Sequence, residues 1–217
     1  MLLIILTCWS FGEIAEDFST RGWLSAMDEL AADVFTQIAT PGLTYIVKGV
    51  TFLGSVGFVT SVSGLVALVL MVRQAMYRFS AFALTMLGGS VLNIVLKHLF
   101  HRARPVLENP LVTLTSYGFP SGHTMGTTLL CGSLAILAAS AVYSLAIRVL
   151  FFAIAGLWIV IIGATRIYLG AHYFTDVIGA ITAGIAWLTL CWTAVETFRR
   201  WRLRHESPAV AAQEARS

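Results

Sequence analysis

GVTFLGSVGFVTSVSGLVALVLMV, residues 49–72, runs for 24 residues between Lys48 and Arg73 without a charge. A helix needs about 17–25 apolar residues to cross the hydrocarbon core of a bilayer. Four further stretches share this character: 18 uncharged residues between Arg78 and Lys97, 24 between His123 and Arg148, 17 between Arg148 and Arg166, and 19 between Asp176 and Glu196. Each must be a helix, because a lone strand in lipid leaves its backbone groups unpaired. The fold class is therefore all-α: a polytopic transmembrane helix bundle of about six spans. The sixth is a shortened first helix in Met1–Gly12, an apolar run that ends at Glu13. That run lacks a basic start and a small-residue cleavage site, so it does not read as a signal peptide.

Composition agrees. Of 217 residues, 58% are hydrophobic and 12% charged, against about 45–50% and about 25% in soluble domains. This excludes an ordinary cytosolic enzyme, a disordered chain and a secreted disulfide scaffold. Cys8, Cys131 and Cys191 lie in apolar stretches with neither metal spacing nor a disulfide framework. Residues 1–205 form one membrane domain, and 206–217 a small, polar, loose cytoplasmic tail.

Lys and Arg set the orientation. With the C-terminus inside, Arg73, Arg78, Arg148, Arg199, Arg200, Arg202, Arg204 and Arg216 are cytoplasmic. Arg21, Lys48, Lys97, Arg102, Arg104 and Arg166 are then outside. The Arg199–Arg204 cluster reads as a stop signal touching anionic lipid rather than a nucleic-acid site. Segment 13–47, an outer loop on this reading, holds Glu13, Glu16, Asp17, Asp28, Glu29 and Asp33, six of the eleven acids. Within it Trp23, Met27, Leu30, Val34 and Ile38 recur at helical spacing, with Asp28, Glu29 and Asp33 opposite. This predicts an amphipathic interfacial helix stopped near Pro41-Gly42. It is either a plain connection or a gate for a lipid.

Three polar groups fall at span ends on one side. Lys97-His98-Leu99-Phe100-His101-Arg102-Ala103-Arg104-Pro105 packs three fixed cations and two imidazoles together. Alone, it fits interfacial snorkelling as well as an anion site. Phe119-Pro120-Ser121-Gly122-His123 opens the next span and frees helix N-terminal amides for an anion. Thr165-Arg166 is followed by His172 and Asp176, four apart and on one face if a helix has begun. A carboxylate beside an imidazole fixes its tautomer and stabilises its cation. Ionisable groups at membrane depth are expensive and mark function. The cations match a tetrahedral oxyanion, and the paired imidazole can act as a nucleophile.

On these residues the chain resembles the type 2 phosphatidic acid phosphatase superfamily of membrane lipid phosphatases. Its three signatures read here as Lys97 to Arg104-Pro105, Pro120-Ser121-Gly122-His123, and Arg166, His172, Asp176. One position departs: Thr165 stands where the family usually has Ser. The resemblance implies that His172 attacks phosphorus to form a phosphohistidine, that Asp176 orients it, and that His123 protonates the leaving oxygen and then activates water. It implies that Lys97, Arg104, Arg166, Ser121 and Gly122 bind the phosphate. No metal and no cofactor are expected, nor a nucleic-acid partner. The implied substrate is a membrane lipid phosphate, first of all undecaprenyl diphosphate, with phosphatidylglycerol phosphate and phosphatidic acid also possible. His98, His101 and Arg102 are available to a second phosphate or to rim solvation. The implied location is a bacterial inner membrane with the site facing outward. A lipid A phosphatase or phosphotransferase shares the catalytic set and is the alternative. A non-catalytic lipid binder, a transporter and a haloperoxidase-like oxyanion cage fit less well.

Overall fold

The computed structural model describes residues 2–20, 22–105, 112 and 116–214. Arg21 and Arg216, counted in the charge balance, lie outside them. In chain order the helices are α1 (Leu2–Thr20), α2 (Trp23–Gln37), α3 (Pro41–Phe52), α4 (Val56–Val72), α5 (Met76–Ala83), a π-helical turn Leu84–Gly88, α6 (Gly89–Phe100), α7 (Gly122–Ala139), α8 (Leu145–Tyr168) and α9 (Phe174–Glu214). Five stretches are long and apolar enough to cross a membrane: Pro41–Val72, Met76–Phe100, Gly122–Ala139, Leu145–Tyr168 and Phe174–His205.

The first helix is longer than the apolar run that announces it. It continues past Gly12 through Glu13, Glu16 and Asp17. It packs along α9, with Leu2, Leu3, Ile5, Leu6 and Trp9 exposed on its outward side. Exposed apolar side chains are what a helix facing lipid presents. Pro41 does not merely stop α2. It stands at the start of α3, where Thr40 caps the helix by accepting from the Leu43 amide at 3.3 Å. Proline suits a helix start because the amide it lacks would be unpaired there anyway. At the other end, the α9 backbone stays helical to Glu214, into the segment expected to be a loose tail. Ala209, Ala211 and Ala212 are the best helix formers there.

Helix α7 is the centre of the bundle and packs against α4, α6, α8 and α9. Its buried residues are mostly small or hydroxylic, among them Thr124, Thr127, Thr128, Gly132, Ser133 and Ala135. Small side chains let helix backbones approach closely in lipid, where no hydrophobic force drives them together. Phe82, Met86 and Leu188 join Leu129 of α7 in one apolar cluster. Asn93 on α6 donates to Met125 Sδ on α7 at 3.4 Å, a polar tie between helices. One end of this bundle gathers the C-terminal turns of α6 and α8 with the N-terminal turns of α7 and α9. All three polar groups of the sequence lie there.

Candidate active site

Helix α6 ends at His101, whose left-handed backbone (φ 46°) turns the chain out of the helix. Lys97 stays in the last turn, and Arg102 and Arg104 follow the bend. Ser121 caps α7, its hydroxyl accepting from the Thr124 hydroxyl at 3.0 Å, and its amide donates to the Asp176 carbonyl at 3.1 Å. The second and third motifs are thus tied by backbone. Gly118 makes this approach possible: a Cβ there would lie 3.2 Å from the Ala103 carbonyl oxygen and 3.3 Å from Asp176 Oδ2.

His172 and Asp176 form the expected pair. His172 Nδ1 stands 3.3 Å from Asp176 Oδ2, and both residues are buried, at 3% and 0% exposure. A carboxylate facing Nδ1 places the proton on that nitrogen. The lone pair is then on Nε2, which faces Arg104 Nη1 at 3.2 Å. Burial pushes the His172 imidazole down to about 4, opposed by Asp176 and reinforced by the charges of Arg104 and Lys97. At neutral pH the ring is therefore uncharged.

Lys97, Arg104 and Arg166 meet no carboxylate by hydrogen bond among the described residues. Lys97 Nζ donates to the Tyr117 carbonyl at 2.7 Å. Arg104 donates to the carbonyls of Ser116 (2.6 Å) and Ala171 (2.5 Å). Arg166 is 3% exposed. It donates from Nη1 to Thr51 Oγ1 at 2.9 Å, and its Nε has no partner among the described residues. His123, in the first turn of α7, lies within electrostatic range of Arg166, His172, Arg104 and Lys97. Every residue expected to take part therefore comes to this end. The Thr165 hydroxyl donates back to the Ile162 carbonyl at 2.6 Å, so it serves its own helix.

The structure also gives Arg102 and Asp28 places other than the rim and the solvent-facing side that the sequence assigns them. Arg102 turns inward, to Asp176 Oδ1 at 2.6 Å and Asp28 Oδ2 at 2.7 Å. Asp28 is 3% exposed, and its Oδ1 accepts from the Thr175 amide at 2.8 Å. The sequence placed Asp28 with Glu29 and Asp33 on one acidic face. Its scarcity as a charge in an apolar chain was the signal that could have singled it out.

The membrane helix bundle thus gathers a buried Arg166 and the half-buried Lys97 and Arg104 around a carboxylate-held imidazole, an arrangement that suits an anionic ligand. Residues 78–200 match the PAP2 superfamily model, more than half of the chain, and the chain belongs to that superfamily. It is 31% identical to phosphatidylglycerophosphatase B of Bacillus subtilis (strain 168) over 186 residues, covering 82% of this chain and 88% of that protein. It is 35% identical to lipid phosphate phosphatase delta of Arabidopsis thaliana over 80 residues, 34% of this chain and 19% of the plant protein. Among solved structures, the transmembrane PAP2 type phosphatidylglycerolphosphate phosphatase from Bacillus subtilis superposes with a TM-score of 0.79 at 26% identity, over 92% of this chain and 97% of that one. LpxE of Aquifex aeolicus shares the fold, with a TM-score of 0.56 at 24% identity over 76% of this chain and 92% of its own. The protein is a membrane lipid phosphatase of the PAP2 type.

Proposed function

We propose that this protein removes the terminal phosphate of phosphatidylglycerol phosphate through a phosphohistidine on His172. Nε2 of His172 attacks phosphorus, and the bond from phosphorus to the lipid alcohol oxygen breaks as His123 protonates that oxygen. Water then attacks the phosphohistidine, His123 takes its proton, and inorganic phosphate leaves. Asp176 stabilises the imidazolium in between. Lys97, Arg104 and Arg166 hold the equatorial oxygens, where phosphoryl transfer concentrates its charge. The Ser121 hydroxyl and the Gly122 amide complete the cradle. These cations supply the charge stabilisation, and no metal or cofactor enters the mechanism.

The observation that carries this reading is the direction of Nε2. It faces Arg104 while Nδ1 is held by Asp176, and the surrounding cations spend their donors on neutral carbonyls and a hydroxyl. A phosphate would replace weak partners with strong, charge-assisted ones. An apolar cavity of about 240 Å³ lies between α4, α6 and α7, lined by Val59, Met86, Asn93, Gly122, Met125 and Leu129. Gly122 of the second motif is part of its wall, and its apolar lining suits a lipid chain.

Undecaprenyl diphosphate is the second substrate to assay. The family resemblance implies it, and a second phosphate could meet His98, His101 and Arg102. Arg102 is engaged by two carboxylates, which leaves His98 and His101, each edge-on to the Tyr117 ring. We place the site end outward from a bacterial inner membrane, as the arginine balance implies. Phosphate release from phosphatidylglycerol phosphate, undecaprenyl diphosphate, phosphatidic acid and lipid A, by the purified chain with and without EDTA, tests the substrate and the metal independence. No release from any of them refutes the reading. Labelling of Tyr117→Cys from inside alone would invert the orientation.

A further inference from the structure

We propose that Asp28 and Arg102 are positioning residues for the His172–Asp176 pair, so that α2, outside the segment that carries the family match, builds part of the site. This rests on the proposed role of His172. Asp28 lies 148 positions before Asp176 in the chain, yet three polar contacts tie it there. Its Oδ1 accepts from the Thr175 amide at 2.8 Å, and its Oδ2 from the Thr175 hydroxyl at 2.7 Å and Arg102 Nη2 at 2.7 Å.

The first contact is a helix cap supplied from another helix. Thr175 is the second residue of α9, and amides in a first turn have no partner within their own helix. A carboxylate there satisfies the amide and meets the positive end of the helix dipole. The start of α9, which carries Asp176, is fixed by a side chain of α2.

The second contact sets Arg102. Its guanidinium lies 4.6 Å from the Tyr173 ring centre, and its Nη1 donates to Thr175 Oγ1 and to Asp176 Oδ1, each at 2.6 Å. Arginine holds a planar fork of donors, so fixing one edge aims the other. Arg102 thereby occupies Oδ1 of Asp176, while Oδ2 takes the Tyr173 amide at 3.0 Å and faces His172 Nδ1. The chain of contacts from Asp28 decides which carboxylate oxygen meets the imidazole, and so where Nε2 points. Its anchor is secure: Phe35 of α2 meets the Tyr168 ring edge-on at 6.1 Å.

The test compares Asp28→Asn, Thr175→Val and Thr175→Ser in the full-length protein in detergent. The expected result is a kcat lower by about tenfold in Asp28→Asn and Thr175→Val with KM held within about twofold. Thr175→Ser, which keeps the hydroxyl, stays near the parent. A kcat within twofold of the parent in both Asp28→Asn and Thr175→Val overturns the proposal. So does a raised KM at unchanged kcat, which would make Asp28 a substrate contact. If Asp28→Asn does not fold, the Thr175 pair decides. A readout independent of turnover is the histidine-selective ¹⁵N spectrum, with His172 assigned by its loss in His172→Ala. The parent shows a neutral ring protonated at Nδ1, and Asp28→Asn or Thr175→Val shows mixed tautomers. Identical spectra overturn the relay even if the lipid assay shows that His172 is no nucleophile.

Discussion

The two ends of α9 meet guanidinium groups in opposite circumstances. Near its last membrane turns, Arg199 and Arg200 share the Glu196 carboxylate at 2.8 and 2.7 Å, with Arg200 exposed and Glu196 and Arg199 partly so. At its first turn, Arg104 and Arg166 are half-buried or buried and hydrogen-bond to carbonyls, an imidazole and a hydroxyl. A buried cation without a counter-ion costs several kcal/mol of desolvation, whereas an exposed pair contributes about 0–1 kcal/mol. At the first end the carboxylates of Asp176 and Asp28 are taken up by His172 and Arg102, and none hydrogen-bonds Arg104 or Arg166 among the described residues. The difference is intelligible if the missing anion at the first end arrives with the substrate. Arg102 sharpens the point. Two residues from Arg104, it has two carboxylates, and so it belongs to the scaffold and not to the ligand.

The largest effect expected is at the pair that the cations surround. His172→Ala should lower kcat/KM by about 10⁴-fold or more and abolish acid-trapped phosphoenzyme. Retained activity would leave the cations without a reaction to serve. Arg166→Gln comes next, with a loss of about 10²–10³-fold, the size found for removing a preorganised charge donor. It should not destabilise the fold, because it removes a buried charge that has no carboxylate partner. Inorganic phosphate distinguishes the two accounts. At a hundredfold excess over its Kd it should stabilise the parent by about 2.7 kcal/mol, and Arg166→Gln should lose most of this in a thermal scan. A marked fall in Tm without ligand would make Arg166 structural and break the comparison.

Both the spans and the cage were legible in the sequence, for the same reason. In a chain so poor in charge, the gaps between charges are helices and the clusters are function. Five uncharged runs became the five candidate spans, and Lys97, Arg104, His123, Arg166, His172 and Asp176 all reached one end. What stayed illegible was carried by the backbone or by long-range contact. The carbonyls of Ser116, Tyr117 and Ala171 that occupy the cations belong to no residue type. The left-handed turn at His101 sends Arg102 and Arg104 to different partners, which spacing alone does not show. Asp28 shares a helical face with Glu29 and Asp33, and periodicity cannot tell which of the three turns into the protein.

The pH profile tests the electrostatic half of the comparison. Burial holds His172 down to about 4, and in the proposed mechanism the neutral ring is the nucleophile. Protonation removes the lone pair, so attack is intact above that value and fails as pH drops through it. Phosphoenzyme trapped at pH 5.5 should therefore match that at pH 7 within about twofold. A free imidazole, near 6.5, would lose most of its nucleophilic form over the same interval. Loss between pH 7 and 5.5 would mean that His172 is not desolvated as its burial implies.

The smallest effect belongs to the far end of α9. Glu196→Gln leaves Arg199 and Arg200 without their carboxylate, the state in which Arg104 and Arg166 already stand. Here, however, the guanidinium groups are exposed and water can replace the lost partner. Activity should stay within about twofold of the parent, and stability should change little, as for surface substitutions in general. A thermal scan and the phosphate-release assay on the same preparation check both. A large loss of stability would mean that this ion pair is not solvated as its exposure indicates. The contrast between the two ends of α9 would then rest on burial at both, and the lack of a carboxylate bonded to Arg104 and Arg166 would no longer mark that end as the place where an anion binds.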